Sequence, residues 1–110
     1  MPGVFVFGDN MLHMGHKGQA VIRGLNNAYG FPTKWLPRTI PEAYFNDGDP
    51  EVELLITKHL TEIEIMLVKG KKIWWPSSGV GTGLAKWQKY APMTLQRVNN
   101  IIRHWVAFYH

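Results

Sequence analysis

Two stretches of glycine and small polar residues in this sequence have the composition of anion-binding loops. The first loop, residues 8–19, follows the apolar run at residues 4–7, and the second loop, residues 76–86, follows the apolar run at residues 73–75. Both loops lead into helix-forming sequence. A strand, a glycine-rich turn and a helix in this order bind phosphate, because backbone N–H groups converge on the anion near the positive end of the helix. One glycine turn is a weak signal, and two loops that meet at one sheet edge are more informative.

The first loop holds the candidates for acid–base chemistry. Asp9 and Asn10 stand at the end of the predicted strand. Asp9 has two interpretations, a general base that activates a water and a turn residue that bonds its own backbone. His13 and His16 flank the same loop, and either is a proton carrier near neutral pH or a plain polar residue. We predict Asp9, Asn10 and His16 as catalytic residues. His13 and His16 together with Asp9 are candidate metal ligands, but they lie in a loop and no fourth ligand is evident, so we predict no metal. We also predict no cofactor.

Two other positions carry polar groups of interest. Lys34 closes the Pro32-Thr33-Lys34 segment, where we predict a phosphate contact; the alternative is a nucleophilic amine with a pKa lowered by burial. Ser78 and its neighbour Ser77 have no base close by in sequence, which favours hydrogen bonding over nucleophilic attack.

Composition limits the class of protein. The chain has 110 residues, of which 45% are hydrophobic and 13% aromatic, enough for one domain with one core. It has no cysteine, which excludes disulfides and fits a reducing compartment. The formal charge of +4 suits an anionic ligand, and a solvated basic face is the commoner reason for such a charge. We find no signal peptide and no membrane span, and we predict a cytoplasmic protein.

The elements that must position these loops alternate between strand and helix. Residues 4–7 predict a central strand, and residues 17–25 carry a helical pattern of apolar residues. A short or edge strand follows near Pro32. Residues 35–48 predict an ordered loop with Tyr44 and Phe45 either packed inward, which we favour, or facing a ligand.

The second half of the chain predicts two long helices. Asp49 and Pro50 mark a helix start, and a stripe of period 3.6 extends that helix to about Val68. Residues 73–75 predict a buried strand, and Pro92 begins the last helix. The order is β-α-β-loop-α-β-α, a small α/β layered domain with a mostly parallel sheet.

These loops resemble the signature segments of the macro domain family. The segments are Gly8-Asp9-Asn10, Gly15-His16-Lys17-Gly18-Gln19-Ala20 and Pro76-Ser-Ser-Gly-Val-Gly-Thr-Gly-Leu-Ala85, and the resemblance is closest to short macro-like proteins of phages and bacteria. Asn27-Ala-Tyr-Gly-Phe-Pro-Thr-Lys34 is similar to a further segment of those proteins. The resemblance implies a compact three-layer macro-like domain with a mixed, mostly parallel sheet flanked by helices.

The resemblance also implies a ligand, ADP-ribose or a related NAD-derived nucleotide. It implies that Asn10 holds ribose hydroxyls, that loop amides hold the diphosphate and that Trp87 covers a ribose or base, with core packing as the alternative for Trp87. The predicted ligand-binding residues are Gly8, Asn10, Gly15, Gly18, Gln19, Lys34, Ser78, Gly79, Val80, Gly81, Thr82, Gly83, Leu84 and Trp87.

Three hypotheses follow for function. The first is a macro-like hydrolase that removes ADP-ribose from ADP-ribosylated protein or nucleic acid. The second is a non-catalytic module that binds the same nucleotide. The third is a nucleic-acid-binding protein, for which neighbouring basic and aromatic residues such as Lys71, Lys72, Lys86 and Trp87 give some support.

Overall fold

A computed structural model describes residues 3–109 as an α/β domain with a three-stranded, fully parallel sheet. The strands lie in the order β2-β1-β3, so the first strand is central. The elements are β1 (Val4–Asn10), a 3₁₀ turn (Gly18–Ile22), β2 (Ala28–Lys34), a 3₁₀ turn (Pro41–Ala43), α1 (Pro50–Val68), β3 (Ile73–Trp74), α2 (Trp87–Tyr90) and α3 (Pro92–Tyr109). The α/β class and the parallel sheet are therefore confirmed.

The central position of β1 follows from its β-branched and aromatic residues, and its alternation sends successive side chains to opposite faces. One face packs against the helices, where Val6 of β1 and Phe31 of β2 are buried in the core. β2 lies at an edge of the sheet, as Pro32 predicts, because proline cannot donate to a second neighbouring strand. Tyr44 and Phe45 are buried, which confirms the inward interpretation.

Helix α1 has the predicted bounds. The Asp49 side chain accepts a hydrogen bond from the Glu51 N–H (3.0 Å), which caps the helix start, and Pro50 occupies the first turn. The apolar stripe faces the core and is buried at Val52, Ile56, Leu60, Ile63 and Leu67. Local sequence and tertiary packing therefore favour the same helix.

Helix α3 begins at Pro92, as predicted, but its cap comes from far along the chain. The Asp47 carboxylate accepts hydrogen bonds from the backbone N–H groups of Met93 (2.8 Å) and Thr94 (2.9 Å) and from the Thr94 hydroxyl (2.7 Å). Burial raises the pKa of Asp47, but these hydrogen bonds outweigh burial and the net pKa is lowered. One carboxylate thus fixes the loop before α1 onto the start of α3.

The helix predicted over residues 17–25 does not form. That segment contains only the 3₁₀ turn Gly18–Ile22, and Gly18 and Gly24 both have positive φ (58° and 95°). Its apolar residues Val21 and Leu25 are exposed. An amphipathic pattern stabilises a helix only when its apolar face is buried, and here Val21 and Leu25 stay exposed to solvent.

The sheet face opposite the helices is open at its amino end. Phe5 of β1 is 42% exposed and Trp74 of β3 is 46% exposed, and the two rings stack. Both long helices contribute to the single core cluster on the other face. The macro-like three-layer arrangement therefore stays a prediction. No helix among residues 3–109 is long and apolar enough to cross a membrane.

Candidate functional site

The two loops lie side by side at the carboxyl end of β1. The Gln19 side chain joins them, because its carbonyl oxygen accepts from the Gly8 N–H (2.8 Å) and its amide nitrogen donates to the Gly79 carbonyl (2.7 Å) and to the Ser78 hydroxyl (3.4 Å). Gln19 and Gly8, both predicted ligand-binding residues, thus bond to each other in this structure. The sequence separation of 60 residues between Gln19 and Gly79 shows that the contact is tertiary.

Asn10 shapes the backbone of the first loop. Its side-chain oxygen accepts from the Leu12 N–H (3.0 Å), and its amide nitrogen donates to the Met14 carbonyl (2.8 Å). Asn10 is 8% exposed. The contact of Asn10 with a ribose stays a prediction, and in this structure the Asn10 side chain closes the turn.

Asp9 is a buried ion-pair partner. One carboxylate oxygen accepts from the Asn10 N–H (2.8 Å) and pairs with the Arg23 guanidinium (2.5 Å), and the other contacts His13 Nδ1 (2.8 Å). Arg23 also donates to the carbonyls of Gly15 (3.1 Å) and Met14 (3.1 Å). Asp9, with Arg23, therefore fixes the loop. This geometry agrees with the turn interpretation, and the general-base role of Asp9 stays a prediction.

The second loop is held by packing. Trp87 is fully buried, and its indole N–H donates to the Thr33 carbonyl (2.8 Å). Gly81 lies against that indole with φ of +82°, and a Cβ there would fall inside van der Waals distance of the ring. Val80 and Ala85 are also buried in the core. These contacts correct the expectation that Trp87 covers a ligand and make Gly81 a packing glycine.

Other loop glycines are open to solvent. A Cβ built at Gly15 or Gly83 would meet no atom within 4 Å, and at Gly18 it would reach only Leu84. Leu84 is 61% exposed, and the Thr82 hydroxyl donates to the Ser78 carbonyl (2.8 Å). The open backbone at these glycines is therefore the part of the loops that an anion can approach.

Two lysines converge beside the loops. The ammonium of Lys34 lies 4.6 Å from the Tyr44 ring centroid and donates to the Arg38 carbonyl (2.6 Å), and the ammonium of Lys86 lies 5.9 Å from the same ring. Tyr44 stacks on Tyr90, with centroids 4.3 Å apart. Burial first, and the charge of Lys86 second, lower the pKa of Lys34. Two cations held on one ring form an electropositive edge.

Sequence reasoning found Lys34 as a phosphate contact, named Lys86 only as support for nucleic-acid binding, and missed Arg23. Lys86 stands at the end of the second loop with φ of +52°, a conformation that L-residues seldom adopt, and the sequence gives no sign of it. Arg23 had a weak signal, a lone arginine in an apolar segment after the first loop. His16 is exposed in the first loop. Among residues 3–109, no group of three or more His, Cys, Asp or Glu could hold a metal ion.

The chain belongs to a family of unknown function, DUF7831, whose sequence profile matches residues 2–101. No curated protein and no solved structure matches the chain.

Proposed function

We propose that this protein, a member of the DUF7831 family, binds ADP-ribose or a related NAD-derived nucleotide between its two glycine-rich loops. The observation that carries the proposal is the Gln19 bridge, which holds the two loops together at the carboxyl end of β1. Ligands of open α/β sheets bind where such loops meet. The diphosphate is the part of the ligand that this edge suits best.

Charge supports the same edge. Lys86 and the buried Lys34 place two ammonium groups on Tyr44, and the lowered pKa of Lys34 reflects the cost of burying one cation beside another. An anion between them would relieve that repulsion. The exposed backbone at Gly15, Gly18 and Gly83 is the surface from which N–H groups can donate to phosphate oxygens.

Binding ranks ahead of hydrolysis. Hydrolysis of an ADP-ribosyl bond is what the macro-domain resemblance adds, and it needs a general base. Asp9 already accepts from the Asn10 N–H, Arg23 and His13, and it is 5% exposed. We therefore propose a binding module with a macro-like fold, and hydrolase activity is the second candidate because His16 remains exposed in the same loop.

The test is calorimetric titration of the wild-type protein with ADP-ribose and AMP. We expect ADP-ribose to bind more tightly than AMP, because AMP lacks the second phosphate. Lys86→Gln should weaken ADP-ribose binding about tenfold, since the variant cannot make a charge-assisted hydrogen bond to the diphosphate. Lys58→Gln, on the exposed face of α1, removes the same charge elsewhere and should leave the affinity unchanged.

Gly83→Val tests the loop backbone. Valine at this open position has no neighbour to clash with, so the fold should persist while the branched side chain blocks the approach to the loop. A folded wild-type protein that binds neither nucleotide overturns the proposal. The proposal is also overturned if Lys58→Gln weakens ADP-ribose binding as much as Lys86→Gln does. Release of free ADP-ribose from ADP-ribosylated protein or DNA by the wild type would promote the hydrolase candidate.

A further inference from the structure

A groove of about 840 Å³ follows the outer edge of β3, and none of the lining residues in the described part of the chain belongs to either glycine loop. The C-terminal ends of α1 and α3 form its other walls. Two lysines and four aromatic residues dominate the lining, namely Lys71, Lys72, Trp74, Trp75, Trp105 and Tyr109. None of the described residues that line the groove is acidic.

The aromatic residues of the groove are of two kinds. Trp75 stacks on the buried Trp105, with centroids 6.2 Å apart, and forms the floor next to the core. Trp74 points to the opposite face of the sheet, where it stacks on Phe5 with centroids 6.1 Å apart and an interplanar angle of 17°. Trp74 and Phe5 together leave a flat, exposed aromatic surface. Contiguous exposed aromatic area of this sort marks an interaction site.

The lysines lie beside this surface. The Lys72 ammonium is 5.6 Å from the Trp74 ring centroid, and Lys71 is the next residue in the chain. Both lysines are exposed. A polyanion along this edge of the sheet therefore meets Lys72 beside an exposed indole on one face, and the groove next to it adds Lys71 and, among its described lining residues, no carboxylate.

We propose that single-stranded nucleic acid binds along this edge of the sheet, with bases stacked on the exposed Trp74 surface and phosphates paired with Lys71 and Lys72 at the border of the groove. Single strands expose the flat faces of their bases and carry one phosphate per nucleotide, which is what an aromatic platform flanked by cations recognises. A duplex hides those faces in its own stack. An acidic peptide satisfies the lysines but makes no use of the indole. Within residues 3–109, the groove shares no lining residue with the glycine loops, so we expect oligonucleotide and nucleotide to bind independently.

The test is fluorescence anisotropy of a labelled oligothymidylate of about 12 nucleotides, titrated with the full-length protein at several salt concentrations. Trp74→Leu keeps apolar volume without a π face and should lower the affinity about tenfold, whereas Trp74→Phe should retain most of it. The double variant Lys71→Gln/Lys72→Gln should reduce the salt slope by about 0.7 for each phosphate that is no longer neutralised.

Matched controls locate the site. Lys58→Gln/Lys89→Gln removes the same two charges outside the groove and should leave both affinity and salt slope unchanged. Circular dichroism establishes that each variant is folded. If Trp74→Leu does not fold, the comparison of Lys71→Gln/Lys72→Gln with the wild type tests the proposal. Saturating ADP-ribose should not displace the oligonucleotide.

Four results would overturn the proposal. The first is that the wild type does not bind the oligonucleotide at low salt, and the second is that it binds a duplex of the same sequence equally well. The third is that Lys58→Gln/Lys89→Gln weakens binding as much as Lys71→Gln/Lys72→Gln does. The fourth is that Trp74→Leu and Lys71→Gln/Lys72→Gln both keep wild-type affinity. If ADP-ribose displaced the oligonucleotide, or if Lys86→Gln bound the oligonucleotide more weakly, we would conclude that the oligonucleotide binds at the glycine loops instead. Equal competition by polyglutamate would reduce the groove to a general polyanion surface.

Discussion

The two glycine-rich loops look alike in sequence and are stabilised in different ways. The first loop has polar supports, the ion pair of Asp9 with Arg23 and the turn closed by Asn10, and its side chains are mostly exposed. The second loop has an apolar support, because Gly81 packs on the buried Trp87. Gln19 couples the polar loop to the packed one.

This difference teaches what a glycine does in each loop. At Gly15 and Gly18, positive φ (90° and 58°) is the requirement, and space is not limiting. At Gly81 both positive φ and the absence of a side chain are required. A substitution at Gly81 therefore acts on the core, whereas a substitution at Gly15 or Gly18 acts on a local turn.

The largest expected effect is at Gly81. Gly81→Val places a branched side chain into the Trp87 indole at positive φ, and overpacking and backbone strain together should lower the free energy of unfolding by about 3 kcal/mol or more. Chemical denaturation measures this decrease. Gly83→Val, two residues away in open space, is the matched control and should stay within about 0.5 kcal/mol of wild type. Equal stability of both variants would refute the packed-loop description.

The next largest effect is at Asp9. Asp9→Ala leaves the Arg23 guanidinium, only 15% exposed, without its carboxylate, and should lower the free energy of unfolding by about 2–4 kcal/mol. His13→Ala removes the other ion-pair partner of Asp9, a side chain that is 65% exposed, and should change the same quantity by less than about 0.5 kcal/mol. Thermal unfolding of the two variants separates them. An Asp9→Ala variant that stays stable but has no turnover would restore the general-base interpretation.

The smallest expected effect is electrostatic and lies between the loops. In Lys86→Gln the pKa of Lys34 should rise, because one cation is removed, yet stay below 10.5, because burial persists. Titration of the Lys34 side chain by NMR measures this shift. A lowered pKa in the folded state means that the unfolded state binds more protons, so stability rises as the pH increases toward 10.5. That rise in stability should be smaller in Lys86→Gln. If the pKa of Lys34 were unchanged in this variant, the charge of Lys86 would not be one of the causes of its lowered pKa.

Much of the fold was predictable where local and tertiary signals agree. The cap at Asp49, Pro50 in the first turn and the apolar stripe define α1 without reference to the rest of the chain. The edge position of β2 follows from Pro32 in the same way. The helix predicted over residues 17–25 does not form, which shows the limit of prediction from apolar periodicity. Such a pattern does not produce a helix when its apolar side chains stay exposed.

The site was predictable in outline only. Glycine spacing after two strands predicted that the loops would meet, and the Gln19 contact with Gly79 is the geometry expected from that. Periodicity and spacing carried no information on which polar side chains would hydrogen-bond within the loops rather than stay free for a ligand. Asp9 and Asn10 were predicted for catalysis on their position at a strand end, and their hydrogen bonds place them in loop support.

The sequence by itself determined the order of the strands and the two long helices, the bounds of α1, the start of α3 and the place of both loops, because caps, prolines and periodic burial act over a few residues. Tertiary structure alone decided that Trp87 is buried, that Gly81 is a packing glycine, that Asp47 caps a helix 46 residues away and that Lys34 and Lys86 share Tyr44. These contacts join residues that are distant in the chain, and only the packing of the whole core brings them together.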